Sequence, residues 1–578
     1  MIEDVLEPLE EYKNNFKTRF REVCEETFAE LSKEANVDIE LNRKTCRNIY
    51  STEEVLSKLK KKLYWTTFGC WILWIAVAVL GIYVYSTWST ASLWLNILLI
   101  LIAVVLVVLF FLKIYPALKK LKAEKGDAES LINKLKEQAW NQMQSLNQLY
   151  DWNIFARMAT RTVPRLQFDP YFTSQRLADL KTVYGWDDSF NKERSVIYSH
   201  SGLINGNPFV LCRTRKMEWG EKTYYGSLEI RWTTIERDSD GKTYTREHFE
   251  TLHAEYTAPF PEYYELTRLI YGNEAAPDLI FNREQSGLAG KEGSLKFKWK
   301  NRQLKKKSED LKNSDYAMMT NSEFEVAFDT HDRNNNQQFA LLFTPLAQQS
   351  MMALLSDKEV GYGDDFDFHK YKKINTIISN HMQELDLDVA PEKFYNFDYD
   401  KAANTFRETY SKYFHAFYFS FAPLLCVPMY QQIRPESAIY GRNMKPQSSF
   451  WEHESLANYW GEEKFKHPDC VTNCILKTES KEMEDGYSKV IVTAYGYRTI
   501  KRTAYVEKYG GDGQWHSVPV DWDEYLPIEG TGSILIKEDN EIEAENATFT
   551  SRHNHAIDML NKTQLTNYRR NIASKLIE

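Results

Sequence analysis

The chain has 578 residues, which is too long for one ordinary hydrophobic core and predicts several folded units. With 43% apolar and 14% aromatic residues, the composition excludes a protein that is mostly disordered. The formal net charge of -9 is small for this length, so any polyanion-binding surface has to be local. The seven scattered cysteines do not form a disulfide framework and indicate a reducing compartment.

The longest apolar segment follows a cluster of lysines. Residues 63–112 contain no Asp, Glu, Lys or Arg. As helices, residues 63–85 and 92–112 would measure roughly 34 and 31 Å, and each can therefore cross the roughly 30 Å of hydrocarbon in a bilayer. A short polar segment, STWSTA, separates them. We expect a transmembrane helical hairpin here, and the alternative is a buried hairpin of a soluble helical protein.

Positive charge lies on both outer sides of this hairpin and is absent from its loop. The flanking lysines are Lys58, Lys60, Lys61 and Lys62 before the first span and Lys113, Lys119, Lys120, Lys122 and Lys125 after the second. Lysine and arginine are enriched on the cytoplasmic side of membrane spans. We therefore expect a multi-pass protein of the cell (inner) membrane with both termini in the cytoplasm.

Residues 1–62 and 113–150 are expected to form amphipathic helical segments on the cytoplasmic side. The first stripe of apolar residues consists of Val5, Leu9, Tyr12, Phe16, Phe20 and Val23. The second consists of Leu118, Leu121, Ala128, Ile132, Leu135, Ala139 and Leu146. Two interpretations stay open: the two stripes pair as a short stalk, within one chain or between chains, or each packs on the soluble domain.

Residues 151–356 are expected to fold as a cytoplasmic α+β domain. The segment GSLEIRWTTIERDSDGKTYTREHFETL alternates apolar and polar residues on both sides of Asp240-Gly241, which is typical of a β-hairpin. The segments SVIYSHSGLINGNPFVLC and SEFEVAFDTHDRNNNQQFALLFTP also alternate and predict further strands. A helical AQQSMMALL follows the second one.

Several of these segments together resemble a known family. The hairpin, FDPYFTSQRLADL, SGLINGNPF and FEVAFDTHDRNNNQQFALLFTPLAQQSMMALL are similar to the bacterial membrane family known as domain of unknown function 3137. The last motif contributes most, with a phenylalanine-glutamate strand, an aspartate-bearing turn and a leucine-rich strand ending at Thr344-Pro345. The resemblance covers about residues 100–360. It implies a two-span bacterial membrane protein with a cytoplasmic α+β domain, and it implies no reaction.

Residues 357–578 predict a second cytoplasmic α+β region. A helix is expected near 370–387, and the uncharged segment 413–433 is interpreted as a buried or interfacial element because it contains prolines and lacks flanking lysine clusters. The segment YSKVIVTAYGYRTIKRTAYVEKYGGDGQWHSVPV predicts strands with a turn at 511–513, and AIDMLNKTQLTNYRRNIASKLIE predicts a closing helix. The fold class is therefore α+β, with a two-helix membrane hairpin, flanking amphipathic helices and two β-rich units.

Three short clusters contain residue types that bind metals or catalyse reactions. They are His467, Cys470 and Cys474; His248 with Glu250 and His253 with Glu255; and Asp364, Asp365, Asp367 and His369. A structural zinc site needs four ligands, so buried or free thiols are expected in the first. The second is typical of an exposed polar strand face, and the third of an acidic loop between domains. We expect no cofactor and no metal, and the sequence identifies no catalytic residue.

The basic run KFKWKNRQLKKK is the candidate binding site. Its cations are Lys296, Lys298, Lys300, Arg302, Lys305, Lys306 and Lys307. As a strand, the run would place its first three lysines on one face and Phe297 and Trp299 on the other. On a domain tethered to the cytoplasmic leaflet, such a patch can rest on anionic lipid headgroups, where each cation contributes about 1 kcal/mol. A solvated face and a nucleic-acid contact are the alternatives, and no nucleic acid is expected.

Three hypotheses on function follow. The leading one is a non-enzymatic membrane-anchored bacterial protein whose cytoplasmic region binds or scaffolds a protein partner, or associates with itself. The second is a membrane-tethered enzyme, such as a hydrolase, with dispersed site residues. The third is an oligomeric channel or transporter component, although two spans without an intramembrane charge offer no pathway unless many copies assemble.

Overall fold

The computed structural model describes residues 7–88, 93–237, 240–310, 316–433, 447–540 and 547–577. The main helices are Lys17–Glu34, Ile39–Thr87, Leu93–Leu109, Tyr115–Gln148, Ile154–Thr162, Ser174–Thr182, Leu295–Glu309, Ser322–Phe328, Asn336–Leu342, Pro345–Ser356, Tyr399–Leu425, Phe450–Trp460 and Phe549–Thr563. The strands are β1 Leu166–Phe168, β2 Arg194–Ile204, β3 Asn207–Arg237, β4 Thr243–Gly272, β5 Ile280–Arg283, β6 Thr330–His331, β7 Phe366–Tyr371, β8 Ile374–Ser379, β9 Ile475–Glu482, β10 Ser488–Tyr509, β11 Trp515–Glu538, β12 Asn567–Arg569 and β13 Ile572–Ile577.

Two long helices carry the apolar segments. The first, Ile39–Thr87, begins after Asp38, whose carboxylate accepts a hydrogen bond from the backbone N–H of Leu41 at 2.9 Å. The second rod runs without a break from Leu93 to Gln148 and includes one wider helical turn at Phe110–Ile114. Both are long and apolar enough to cross a membrane. The prediction of two apolar helices at 63–85 and 92–112 is confirmed, apart from residues 89–92, which lie outside the described residues.

The two long helices also pack on each other beyond the apolar segments. Lys136 forms an ion pair with Glu53 at 2.7 Å, and Ala139 is buried between the rods and the rest of the molecule. We call residues 39–62 and 115–148 the stalk. The stalk therefore pairs the second predicted stripe with the residues that lead directly into the first span.

The N-terminal stripe has a different partner. Phe20 stacks on Phe414 with ring centroids 4.1 Å apart, within the helix Tyr399–Leu425, which we call the core helix. Within one chain this stripe therefore packs mainly on the soluble body, and its pairing with residues 118–146 of another chain stays a prediction. Val5 lies outside the described residues.

The core helix confirms the buried interpretation of segment 413–433. It begins after Asp398, whose carboxylate accepts from the backbone N–H of Asp400 at 3.0 Å. Its aromatic face, including Phe417 and Phe421, lies inside the largest hydrophobic cluster of the molecule. A bent pair of short apolar helices, within 336–356, would raise the number of spans from two to three if it counted as one span, but its apolar side chains pack in this same cluster.

Two antiparallel sheets complete an α+β body. The larger has eight strands in the order β1-β2-β3-β4-β8-β7-β5-β6, and the smaller has five in the order β12-β13-β11-β10-β9. The predicted α+β class with two β-rich parts is confirmed at that level. The boundary expected between 151–356 and 357–578 does not coincide with a structural break, because β7 and β8 belong to the larger sheet.

Two predicted segments adopt the opposite type of structure. The segment 322–342, expected as strands, forms two short helices around the two-residue strand β6, and the first is capped by Asn321, which accepts from the N–H of Glu323 and Phe324. The expected helix near 370–387 is wrong, because β7 and β8 form a hairpin whose buried residues alternate.

The expected closing helix is correct only in its first part. It ends at Thr563, where Gln564 has a left-handed backbone, φ 56°. The strands β12 and β13 follow, joined by Arg570 and Asn571, which both have positive φ. Two consecutive residues of this conformation match the right-handed twist of a tight hairpin. The chain thus finishes at the smaller sheet rather than in a helix.

Candidate functional site

The basic run lies on a helix. Leu295–Glu309 begins after Ser294, whose hydroxyl accepts from the backbone N–H of Phe297 at 3.2 Å. The strand face expected for Lys296, Lys298 and Lys300 is therefore wrong. Phe297 and Leu304, two helical turns apart, are buried beneath the helix, whereas Trp299 is 63% exposed. We call Leu295–Glu309 the basic helix.

The outer face of the basic helix mixes apolar and cationic side chains. Leu295, Trp299, Arg302 and Lys306 are spaced by four, three and four residues and so form one stripe. Leu295 is 86% exposed, which is unusual for a leucine on a helix of a soluble protein. The stripe therefore offers two apolar side chains and two cations to whatever lies against it.

Most cations of the basic helix are available for an external partner. The exposed ones are Lys296, Lys298, Arg302, Lys305, Lys306 and Lys307. Lys300 is half-buried and forms an ion pair with Asp329 at 2.9 Å. Among the described residues, no other cation of this helix has an ion-pair partner. The prediction of a local basic patch is compatible with this arrangement, and its role as a lipid contact stays a prediction.

Two long β-ribbons extend beyond the sheets as a projecting arm, which the sequence patterns did not predict. β2 covers β3 only as far as Lys216, and β8 covers β4 only from Leu269 onward, so most of the β3–β4 ribbon extends beyond the sheet. In the smaller sheet, β10 and β11 likewise extend beyond Tyr495 and Ser533. From residue 217 to 237, β3 alone spans about 70 Å at roughly 3.4 Å per residue. We call these extensions, 217–268 and 496–532, the arm.

The two ribbons of the arm stack face to face. Ile230 and Leu252 of one ribbon pack against Val518 and Val520 of the other. A side chain at Gly226 would have its Cβ 2.1 Å from the carbonyl oxygen of Pro519, so glycine is required for this close approach. The predicted hairpins at 240–241 and 511–513 are both confirmed, and they prove to be two layers of one structure.

The outer face of the second ribbon carries an aromatic patch. Tyr505, Tyr509 and Trp515 are 69%, 60% and 67% exposed. Tyr509 pairs with Trp515 across the ribbon, with ring centroids 5.5 Å apart, and Tyr505 pairs with Pro519. These side chains point away from the first ribbon, because Val518 and Val520 alternate with them and point inward. We call Tyr505, Tyr509, Trp515 and Pro519 the aromatic patch.

A buried charge cluster fastens the end of the chain to the body. Arg569, almost fully buried, forms ion pairs with Asp388 and Glu452, and its guanidinium lies 5.2 Å from the ring of Trp152. Burial alone would raise the pKa of Asp388, but the guanidinium groups beside it hold that pKa below its ordinary value. Arg570, which forms an ion pair with Glu452 at 3.5 Å, balances the second carboxylate, and His200 lies beside Asp388. The cluster connects the C-terminal hairpin with distant elements.

The histidine of this cluster is not available for acid–base chemistry. Burial, and then the nearby guanidinium of Arg570, lowers the pKa of His200 to about 3. The ring is therefore neutral at physiological pH. A cleft of about 240 Å³ lies beside the cluster, at the end of the stalk, and is lined by residues that include Tyr395, Tyr459, Arg157 and His553.

The predicted aspartate cluster does not form an acidic loop between domains. Asp364 forms an ion pair with the fully buried Arg283, and Asp365 bonds His381 Nδ1 at 2.6 Å. The remaining nitrogen of His381 lies 3.1 Å from the carbonyl oxygen of Ala416. Because both ring nitrogens are engaged, this Asp–His pair holds two segments together and has no nitrogen left for a substrate.

The other two predicted clusters contain structural contacts, but His253 and Glu255 are exposed on their strand, as predicted for a polar strand face. The sulfur atoms of Cys470 and Cys474 lie 3.6 Å apart as buried free thiols, as expected. His248 stacks on Trp232 between the two ribbons, and Glu250 accepts a hydrogen bond from the backbone N–H of Gly511. Within the described part of the chain, no group of three or more His, Cys, Asp or Glu side chains is arranged to hold a metal ion.

Comparison of the chain with protein-family models, with curated proteins and with solved structures found no match. The resemblance to the domain of unknown function 3137 family therefore stays a prediction.

Proposed function

We propose that this chain is a membrane-anchored protein whose arm binds a protein partner on the cytoplasmic side. The anchor is the pair of long apolar helices, and the lysines on their outer flanks support a cytoplasmic body. The stalk continues these helices into the body without a break. Such an arrangement keeps a recognition surface at a fixed distance from the bilayer.

The aromatic patch is the observation that carries this proposal. Tryptophan and tyrosine are enriched among the residues that dominate the energy of protein interfaces. Tyr509 and Trp515 are in contact, Tyr505 lies on the same face beyond the Glu507–Ser517 pair, and all three are exposed on a ribbon that packs on its other side. The partner that fits this surface is a folded protein with an apolar pocket for the indole ring of Trp515.

The proposal can be tested by site-specific photo-crosslinking of the full-length protein in the cells that make it. A photoreactive phenylalanine derivative at position 505 should give one discrete crosslinked product. Trp515→Ala should abolish that product, because the ring that anchors the partner is lost. The same probe at Tyr225, an exposed position on the other ribbon, is the matched control. An identical product from positions 225 and 505, or a product that survives Trp515→Ala, would contradict the proposal.

The basic helix supports a second contact, with anionic lipid headgroups. Helices that lie at a membrane surface combine tryptophan and leucine with flanking lysine and arginine, as Leu295, Trp299, Arg302 and Lys306 do. The anchor keeps the helix in the neighbourhood of one leaflet, so that even a weak contact becomes significant. This contact would orient the body, and with it the arm, relative to the bilayer.

A further inference from the structure

The outer edge of β3 is uncovered along most of the arm. Pairing between β2 and β3 ends where Arg194 of β2 lies opposite Lys216 of β3. From 217 to 237, β3 has β4 on one side, and no strand among the described residues pairs with its other side. An uncovered edge carries unpaired N–H and C=O groups and is a template for another strand.

Two prolines show which backbone groups point toward this edge. Pro259 and Pro261 of β4 lie opposite Glu221 and Trp219 of β3. Proline has no N–H, so these are the pairs of the ladder that exchange no hydrogen bonds, and the backbone groups of their β3 partners point away from β4. Because this direction alternates, the odd-numbered residues from Trp219 to Thr233 present donors and acceptors to the open edge.

The N-terminal end of β3 shows independently in which direction the backbone groups of odd-numbered residues point. A two-residue turn, Asn205-Gly206, joins β2 to β3 with Ile204 opposite Asn207. The residues that close such a turn exchange hydrogen bonds with each other, so odd-numbered residues of β3 point toward β2. Beyond Lys216, where β2 no longer covers β3, the same odd-numbered residues face solvent.

The other free edges of the arm carry prolines or an excess of cations over part of their length, although β4 has no proline from 243 to 258. β4 carries Pro259 and Pro261, and β11 carries Pro519 and Pro527, all at positions that point outward. The free part of β10 carries four cations and one carboxylate: Arg498, Lys501, Arg502, Lys508 and Glu507. Prolines and like charges are the devices that prevent strand addition. β3 from 219 to 233 has no proline, and its charges, Glu221, Lys222, Glu229 and Arg231, are balanced.

We propose that two copies of this chain associate through these edges, as antiparallel neighbours about a two-fold axis at Gly226. Identical edges can pair in this closed, symmetric way. This register uses the whole open edge and places Glu221 of each copy opposite Arg231 of the other. A shift that moves the axis to Tyr225 would instead place Glu221 opposite Glu229, and like charges directly opposite destabilise a sheet. The result is a continuous ribbon of four strands shared by two arms.

Light scattering of the full-length protein in mild detergent, over a range of concentrations, tests this association. The wild type should be a dimer. Ser227→Pro removes an outward N–H without touching the ladder to β4, and should weaken dimerisation at least about tenfold, because it interrupts the shared ladder at its centre. Thr257→Pro, at the equivalent outward position on the already protected β4 edge, is the matched control and should change nothing. A monomeric wild type, or a dimer insensitive to Ser227→Pro, would overturn the proposal.

Charge reversal tests the register with variants that keep the backbone intact. Glu221→Arg alone and Arg231→Glu alone should each weaken the dimer, because like charges then face each other across the axis. The double variant should restore wild-type dimerisation, and failure to restore it overturns the register at Gly226. Both side chains are exposed, so these variants stay informative if Ser227→Pro does not fold. Trp515→Ala should leave the dimer intact, so failure of this proposal and failure of partner binding by the aromatic patch are separable.

Discussion

Lys370 is a buried cation without a carboxylate partner among the described residues. Its Nζ donates to the carbonyl oxygens of Ala275 and Lys372 and lies 5.7 Å from the ring centroid of Tyr430. Burial lowers the pKa of Lys370 to about 7, because the charged form loses its hydration and gains only neutral partners. In the unfolded chain the same group titrates near 10.5.

This difference predicts how the stability of the body depends on pH. Between pH 7 and 10.5 the unfolded state binds more protons at Lys370 than the folded state, so the free energy of unfolding should rise with pH, by up to about 1.4 kcal/mol per pH unit. Urea unfolding of the full-length protein in detergent at pH 7, 8 and 9 measures the slope. Lys370→Met should remove this contribution, and the half-exposed Lys373→Met should keep it. Equal slopes in the two variants would contradict the assignment.

At the scale of elements, only the structures that depend on neighbouring residues could be predicted from the sequence. The hairpins at 240–241 and 511–513 were predictable, because alternation and turn residues are properties of neighbouring positions. The short helices at 322–342 and the β7–β8 hairpin were not, because runs of four to eight apolar residues fit a buried strand and a buried helix equally well. Packing in the largest hydrophobic cluster decides for the helices, and pairing of β8 with β4, far earlier in the chain, decides for the hairpin.

The basic helix shows that a wrongly predicted secondary structure also limits the prediction of a candidate site. The sequence identified all seven cations, but it assigned Phe297 and Trp299 to one apolar face. In the helix, Phe297 is buried and Trp299 lies on the exposed cationic stripe. The misassigned secondary structure therefore concealed the property that favours a membrane surface, an exposed aromatic ring among cations. The arm was missed because its length depends on where neighbouring strands stop, and that is not a local property.

Contact of the basic helix with lipid predicts a dependence on anionic headgroups. All seven native cysteines are buried, so Gln303→Cys can carry an environment-sensitive fluorophore on the exposed side of this helix. In nanodiscs that contain phosphatidylglycerol, the full-length protein should show a blue-shifted, stronger emission than in phosphatidylcholine alone. Reversal of Lys298 and Lys305 to glutamate should weaken the contact by about 2 kcal/mol, roughly 30-fold. The same fluorophore on Asn554, in the C-terminal helix, is the control. Emission independent of lipid charge would contradict lipid contact.

At the scale of the whole molecule, if the two apolar helices span a bilayer as proposed, the stalk would set the distance between the bilayer and the body. The hydroxyl of Tyr50 donates to Asp398 at the start of the core helix, and the first predicted span begins at residue 63. Thirteen helical residues correspond to about 20 Å, so in a membrane-inserted protein the attachment point of the body would lie clear of the headgroups. Partner binding, self-association and lipid contact would all take place on a body fixed by one rigid connection.

The flanking lysines favour a topology with the body in the cytoplasm, and this topology can be tested directly. A membrane-impermeant maleimide should label Ser86→Cys, at the start of the loop between the spans, in intact spheroplasts. It should label Gln303→Cys only after the membrane is permeabilised, since the body is expected on the lysine-rich side. The buried native cysteines give a low background, and the unsubstituted protein measures it. Labelling of Gln303→Cys in intact spheroplasts would place the body outside the cell membrane. It would then remove the cytoplasmic leaflet as the surface that the basic helix can reach, while association through β3, which depends only on the arm, would be unaffected.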